Sequence, residues 1–142
     1  MSQILKLTSE LVVTNVDKSV DFCVNILGFQ KLEGDSHFTR IKAGASEIML
    51  MLKSDFDQEL PSLNRPQNSG LSLLVVEIKF IEEFYEKIKN IVTIHRPLQL
   101  TDYCTQEFTI SDPDGYLIQF SQRSERIIKN GGHQLQSSKH RS

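Results

Sequence analysis

The sequence carries one pattern of apolar and polar residues twice. A shift of 62 residues (84 minus 22) aligns Phe22 with Phe84. The same shift aligns three further apolar pairs: Val13 with Val75, Val16 with Ile78, and Ile26 with Ile88. In each half a strand-like run precedes a run with helical spacing, and further strand-like runs follow. The repeat therefore predicts an α+β fold of two tandem β-α-β-β-β modules, whose bare sheet faces should cover a cleft or a partner.

The first module, about residues 5–55, contains the clearest helix signal. Its apolar residues recur at helical spacing, at Val16, Val20, Cys23 and Leu27. Thr14 with Asp17 three positions on fits a capping box, and Gly28 is a natural end for the helix. The predicted elements are a strand over 5–13, a helix over 15–27, a short strand over 30–33, and a hairpin with strands at 37–43 and 47–52.

A polar stretch that contains two prolines, residues 53–70, separates the two modules. It lacks periodicity, so we expect a loop there, with the linker proper over 56–69. The second module, about residues 70–123, then follows the same plan. Its predicted elements are a strand over 71–77, a helix with the apolar face Phe80, Phe84, Ile88 and Ile91, a strand over 92–96, a loop over 97–104, and a hairpin with strands at 106–110 and 116–120.

The second hairpin is set by the turn sequence Asp112-Pro113-Asp114-Gly115. Proline fixes φ at the second turn position, aspartate bonds its own backbone, and glycine accepts a positive φ. The strand after the turn is apolar except for Gln119, which points away from Ile118 and Phe120. Such a residue lies either on a solvated face or in a cleft, where its amide would form hydrogen bonds.

Composition excludes several classes of protein. The chain has 142 residues, with 16 basic and 18 acidic side chains and a net charge of −2, so it lacks the basic field of a nucleic-acid-binding protein. It has no apolar run of transmembrane length and no signal-peptide pattern at its start. The two cysteines, Cys23 and Cys104, are expected to be free thiols in a reducing cytoplasm. We expect one domain over residues 1–123.

The remaining residues, 124–142, are predicted to form a flexible tail. Asn130-Gly131-Gly132 would break any helix begun just before it. The last ten residues are too polar for burial to offset the entropy of ordering them.

Five segments together resemble the vicinal-oxygen-chelate superfamily, in its glyoxalase/bleomycin-resistance branch. They are residues 10–22, Leu27-Gly28-Phe29, Glu83-Phe84-Tyr85, Arg96-Pro97-Leu98 and residues 112–120. In this order, over about residues 5–123, they are specific to that family. The resemblance implies paired β-α-β-β-β modules with curved sheets around a cleft, usually in a homodimer.

The resemblance also implies where a metal ion would bind. Enzymes of the superfamily hold a divalent metal between His and Glu side chains, and its open coordination position polarises a substrate oxygen. At the corresponding positions this chain has Thr8, either Ser72 or Leu73, and Gln119, with Leu50 as the first-module counterpart of Gln119. A hydroxyl and a neutral amide are poor ligands for a tightly held catalytic metal. The sequence therefore predicts no metal and no other cofactor.

The predicted cleft is lined by Glu10, Phe38, Leu50, Tyr103, Glu107 and Gln119. In this prediction the two carboxylates and the amide orient a ligand, and the other residues supply contact area. Alternatives exist for both carboxylates: Glu10 could hold a neighbouring loop, and Glu107 could pair with a surface cation. His37 and His95 are expected at surface or edge positions, and a catalytic thiolate at Cys104 is not favoured.

Two functions from different classes follow. The first is metal-independent binding of a small, partly apolar or aromatic molecule, in the manner of bleomycin-resistance proteins. The second is a metal-dependent enzyme of the superfamily, such as a lyase, isomerase, dioxygenase or thiol transferase. Bleomycin itself is not favoured, because capture of a cationic drug benefits from a strongly acidic protein.

Overall fold

The computed structural model describes residues 3–60 and 72–123. The chain divides into two compact units, Met1–Gly70 and Leu71–Ser142. The first unit contains β1 (Ser9–Val13), α1 (Val16–Asp21), β2 (Gln30–Gly34), β3 (Phe38–Ala43), β4 (Ser46–Leu52) and α2 (Lys53–Glu59). The second contains β5 (Leu73–Glu77), α3 (Ile81–Ile88), β6 (Thr93–Leu100), β7 (Thr105–Ser111) and β8 (Leu117–Arg123).

Each unit is built on one mixed four-stranded sheet. The strand orders are β1-β4-β3-β2 and β5-β8-β7-β6. In each sheet the first strand runs parallel to the last, and the other neighbours pair antiparallel. A helix joins the first strand to the second, so each unit is a β-α-β-β-β module. The predicted α+β fold of two tandem modules is confirmed.

The first helix differs from its prediction at both ends. Asn15, not Thr14, caps it, and the Asn15 Oδ1 accepts a hydrogen bond from the Lys18 backbone N–H at 3.0 Å. From Phe22 to Ile26 the helix widens into a π-helical segment. Val16, Phe22 and Leu27 of this region are buried. The apolar spacing was correct, but spacing alone does not distinguish an α-helical turn from a π-helical one.

A helix also occupies part of the stretch that was predicted to be a loop. Helix α2 follows β4 directly, and it is supported by a Lys53–Asp57 ion pair at 2.7 Å with i, i+4 spacing. The Nδ1 of His37 lies 2.7 Å from the Asp55 carboxylate, which ties α2 to the start of β3. The predicted linker beyond residue 60 lies outside the described residues.

An aromatic cluster forms the core of the second unit. Phe84 and Tyr85 of α3 pack edge-on against Phe120 and Phe108, with ring centroids 5.0 and 4.9 Å apart. Phe108 and Phe120 stack on each other at 5.2 Å, and each is at most 1% exposed. Aromatic pairs stabilise a fold beyond what the burial of their apolar area contributes. This cluster therefore fixes α3 on the β7–β8 pair.

The predicted face of this helix was wrong at its ends. Phe80 and Ile91 are 68% and 61% exposed, whereas Ile81 and Ile88 are fully buried. Phe80 precedes the helix with φ of 58°, which is rare for a residue with a side chain. The helix therefore begins one residue later than the apolar pattern indicates, and its buried face rotates accordingly.

Strand β6 extends through Pro97, where a loop over 97–104 was predicted. Proline is tolerated because β6 is the edge strand of its sheet and needs no donor on its open side. The pairing of β6 with β7 shifts register between Ile94 and Arg96 and again between Arg96 and Gln99. Pro97 lies within the second of these irregularities.

The turn between β7 and β8 has the predicted chemistry. The Asp112 Oδ1 accepts hydrogen bonds from the backbone N–H groups of Asp114 and Tyr116, at 2.9 and 2.8 Å. Gly115 has the positive φ of 92° that the turn requires. Burial raises the pKa of the Asp112 carboxyl, and the two N–H donors act in the opposite direction.

Two further predictions concern the C-terminal tail and transmembrane helices. The predicted tail, residues 124–142, lies outside the described residues. Within residues 3–60 and 72–123, no helix is long and apolar enough to cross a membrane.

We predict that Phe108→Ala lowers the free energy of unfolding by about 3–5 kcal/mol, because it removes a buried ring at the centre of the aromatic cluster. Phe80→Ala is the matched control. That ring is mostly exposed, and alanine keeps a side chain at the positive-φ position, so the expected change is within about 0.5 kcal/mol. Urea unfolding of both variants measures the difference. Equal losses would contradict this packing.

A second prediction concerns pH. The hydrogen bond with Asp55, followed by its charge, raises the pKa of His37. The His37–Asp55 pair therefore contributes stability that is fully present below the pKa of an unfolded histidine and is lost as pH rises through the folded pKa. Asp55→Asn should lower the His37 pKa in an NMR titration, whereas Asp57→Asn, which removes only the pair with Lys53, should leave it unchanged. An unchanged His37 pKa in Asp55→Asn would exclude this pair.

Candidate functional site

The second sheet has one aromatic face and one polar face. Phe108 and Phe120 pack on α3, so the alternating residues of β7 and β8 point to the opposite side. We call this side the polar face. It carries Arg96, Thr105, Glu107, Thr109, Gln119 and Ser121.

The centre of the polar face is the buried carboxyl group of Glu107, which is 1% exposed. Its Oε2 accepts hydrogen bonds from the hydroxyls of Thr105 at 3.0 Å and Ser121 at 3.3 Å. Its Oε1 accepts one from the Tyr103 hydroxyl at 3.3 Å and lies 3.9 Å from the Arg96 guanidinium. Three hydroxyl donors and one cation thus compensate for burying this acidic group.

The loop before β7 positions two of these donors, the hydroxyls of Tyr103 and Thr105. The Thr101 N–H donates to the Thr105 carbonyl at 2.7 Å, and the Thr105 N–H donates back to the Thr101 hydroxyl at 3.2 Å. Between them, Cys104 is buried and has φ of 72°. This tight turn places Tyr103 over Glu107, which keeps the carboxyl group enclosed.

Gln119 lies beside this network without joining it. It is 5% exposed, and among the described residues its Nε2 has no hydrogen-bond partner. A buried amide donor without a partner costs about 1–3 kcal/mol. Native structures usually satisfy such groups, so this donor indicates a place where a bound molecule could supply the acceptor.

The strand register places Gln119 in a row with two other side chains. Gln119 pairs with Thr109 on β7, and Thr109 pairs with Arg96 on β6. Neighbouring strands are about 4.8 Å apart, so the three side chains span about 10 Å. On the other side Gln119 pairs with Val75 of edge strand β5, where Val75 and Leu73 are 52% and 42% exposed. The polar face is therefore bordered by an apolar edge.

The predicted site residues of the second module are partly brought together. The structure joins Tyr103 and Glu107 directly, and it places Gln119 on the same face. The alternation of β7 and β8 could also have identified Thr109 and Ser121. Arg96 had no such signal, because its direction depends on the register shifts of β6.

The predicted site residues of the first module lie on two different faces. Glu10 pairs with Met49, and Phe38 pairs with Met51, so these four residues share one face of the first sheet. Leu50 pairs with Leu11 and Thr39 on the other face and is 1% exposed. Leu50 is therefore a core residue, which does not share a face with Glu10 and Phe38.

The proposed equivalence of Leu50 with Gln119 fails for a geometric reason. Side chains alternate along a strand, so an alignment that is wrong by one residue exchanges the two faces. The shift of 62 residues likewise pairs buried Val13 with exposed Val75.

Comparison with known proteins identifies the family. The sequence profile of the Glyoxalase/Bleomycin resistance protein/Dioxygenase superfamily matches residues 3–120. This chain belongs to that superfamily. No protein of curated function matches the chain in sequence.

Several solved structures share the fold of this chain at low sequence identity. A protein of unknown function from Agrobacterium tumefaciens str. C58 has a TM-score of 0.73 at 18% identity, over 86% of this chain and 96% of its own. TioX from Micromonospora sp. ML1 has 0.64 at 19%, over 82% and 97%. The bleomycin-binding protein from Streptomyces verticillus, complexed with copper(II)-bleomycin, has 0.58 at 20%, over 84% and 97%.

The metal site that this superfamily implies does not fit the residues present. Val75 pairs with Gln119 in register, and Leu73 lies two residues before Val75 in the same strand. Leu73, rather than Ser72, therefore shares the face of Gln119. Leu73 has no ligand atom, and Gln119 offers only a neutral amide. Across residues 3–60 and 72–123, no three His, Cys, Asp or Glu side chains are grouped as metal ligands. The described residues of this face therefore do not form such a metal site.

We predict that Glu107→Gln lowers the free energy of unfolding by about 1–3 kcal/mol, because an amide cannot accept on both sides from the surrounding donors. Glu10→Gln is the matched control, since Glu10 is exposed, and a change within about 0.5 kcal/mol is expected there. Chemical denaturation measures both variants. If Glu107→Gln left the free energy of unfolding unchanged, the hydroxyl network would not depend on the charge of Glu107.

Proposed function

We propose that this protein binds a small, partly apolar molecule on the polar face of its second sheet, and that it does so without a metal. The observation that carries this proposal is the amide of Gln119. The resemblance to the superfamily implies a metal-binding carboxylate at this position in its enzymes. In this chain the Gln119 Nε2 is buried without a partner among the described residues. A ligand that supplies an acceptor there would satisfy this donor.

The surroundings of Gln119 support binding of a partly apolar molecule. Ligand sites combine apolar contact area with a few oriented polar groups. Here Leu73 and Val75 offer exposed apolar surface on the edge strand, and Arg96, Thr109 and Gln119 offer polar groups beside it. The enclosed carboxyl group of Glu107 holds Tyr103 and Arg96 near the same surface.

The family supports the same proposal. One structural neighbour is a bleomycin-binding protein, so this fold accommodates small-molecule binding. The net charge of −2 gives little attraction for a cationic drug, so bleomycin is not the ligand we propose. As in the family generally, we propose a homodimer and, from the sequence, a cytoplasmic location.

Metal analysis tests the first half of this proposal. We predict that the protein, purified without chelators, contains far less than one zinc, nickel, iron or manganese per chain. Gln119→Glu should raise the affinity for divalent cations, because it adds a charged oxygen ligand. Isothermal titration with Mn²⁺ compares the two proteins, and Gln30→Glu, at an exposed position of β2 opposite Lys42, is the control. Near-stoichiometric metal in the wild type would favour the metal-dependent enzyme instead.

A ligand screen tests the second half. A library of small aromatic and aliphatic compounds would be tested by thermal shift, and bound compounds would be verified by native mass spectrometry. We expect ligands whose stabilisation is reduced by Gln119→Met, which keeps the side-chain volume but removes the amide. A library without any ligand, or ligands indifferent to Gln119, would contradict the proposed site.

A further inference from the structure

We infer that the ligand of the polar face is an acceptor-bearing molecule, a carboxylate or carbonyl compound with an apolar body, held by the donor row of Arg96, Thr109 and Gln119. This inference rests on the proposed function and specifies its ligand class. It follows from which polar groups of the face are already bonded to one another and which are not.

The acidic group of the face is already occupied. A carboxylate has about four lone-pair positions. Around Glu107, three of these accept hydrogen bonds from the hydroxyls of Tyr103, Thr105 and Ser121, and the Arg96 guanidinium lies 3.9 Å from Oε1, at ion-pair distance. Glu107 is also only 1% exposed. It has little capacity left for a cationic ligand, so we assign it as a positioning residue that holds Arg96 and Tyr103.

The donors of Gln119 and Arg96, in contrast, are not all used by other described residues. The Nε2 of Gln119 has no partner among the described residues. Arg96 has a side chain that is 43% exposed, and its only ion pair with a described residue is the long 3.9 Å contact to Glu107. With the Gln99 amide rotated, that amide oxygen also accepts from the guanidinium. Since guanidinium has five N–H donors, capacity remains for a ligand.

The position of Thr109 connects these two donors. It pairs with Arg96 on one side and Gln119 on the other, so it lies in the middle of the row. A ligand carboxylate or carbonyl above Thr109 would be about one strand spacing, roughly 4.8 Å, from each neighbouring strand. Both longer side chains can cover that distance. The apolar body would then lie toward Leu73 and Val75 on the edge strand.

Benzoate and benzylamine are suitable probes, because they share a ring but carry an acceptor anion and a donor cation. The experiment records ¹⁵N–¹H NMR spectra of the full-length labelled protein during titration with each probe. The signals of the Gln119 side-chain amide are identified by their loss in Gln119→Met. Benzoate should shift these signals with a Kd on the order of 1 mM, as expected for a ligand of this size, and benzylamine should not.

Variants test the individual donors. Arg96→Gln should weaken benzoate binding by about tenfold, because it removes a charged donor, and Gln119→Met should weaken it by about fivefold. Gln106→Met is the matched control: Gln106 donates to Glu82 of α3 on the opposite side of the sheet. Its benzoate affinity should equal that of the wild type.

Several outcomes would overturn the inference. Preferential binding of benzylamine would show that the carboxyl group of Glu107 is available, and benzoate binding indifferent to Arg96 and Gln119 would place the acceptor elsewhere. If neither probe shifts the Gln119 amide while the library screen yields ligands, the ligand class is wrong and the proposed function stands. If the library yields none, the proposed function itself fails.

Discussion

The packing of Phe108 and Phe120 against α3 is the constraint on which the second unit depends. The two rings stack on each other and contact Phe84 and Tyr85 of the helix. Because side chains alternate along a strand, fixing these rings on one face sends every flanking residue to the other. A slip of one residue would place Glu107 among the aromatic rings, where its burial would be uncompensated. The core therefore determines the position of the polar face.

Glu107 in turn organises the polar face. A buried acidic group is tolerated only with hydrogen-bond donors around it, and here the donors come from the β8 strand, from β7 itself and from the preceding loop. The positive φ of Cys104 shows that the loop adopts a conformation that its sequence alone disfavours. We interpret this conformation as the consequence of bringing the Tyr103 hydroxyl to Glu107. The groups left outside the network are the ones that a ligand can use.

The sequence predicted the fold because its signals were redundant. Apolar alternation, helical spacing and the Asp112–Gly115 turn all agreed on two β-α-β-β-β modules, and agreement between levels is typical of natural sequences. Local details required contacts that a sequence does not display. Helix α2 is held by an ion pair and by His37, which lies 18 positions from its partner Asp55. Strand β6 tolerates Pro97 only because it lies at a sheet edge.

The site was predicted less well, because the directions of some side chains depend on more than the pattern of their own strand. Gln119 and Glu107 share a face because their direction follows from neighbouring apolar residues in the same strands, and the loop before β7 brings Tyr103 to Glu107. Leu50 was assigned by alignment between the modules, and a fold that repeats does not guarantee an alignment correct to one residue. Arg96 was not predicted, because the irregular pairing of β6 decides which way it points.

The two sheets show how one topology supports different chemistry. In the first sheet, Arg40 donates to Glu47 at 2.9 Å and also to Glu33. These charged groups of the first sheet therefore bind each other. The hydrogen bond from Arg40 lowers the pKa of Glu47, which keeps this pair ionised over a wider range of pH. In the second sheet, the acidic group is satisfied mainly by neutral hydroxyls, which leaves Arg96 and the Gln119 amide with unused donors. The repeated backbone supplies equivalent faces, and the balance of donors and acceptors on each face decides whether it can bind a ligand.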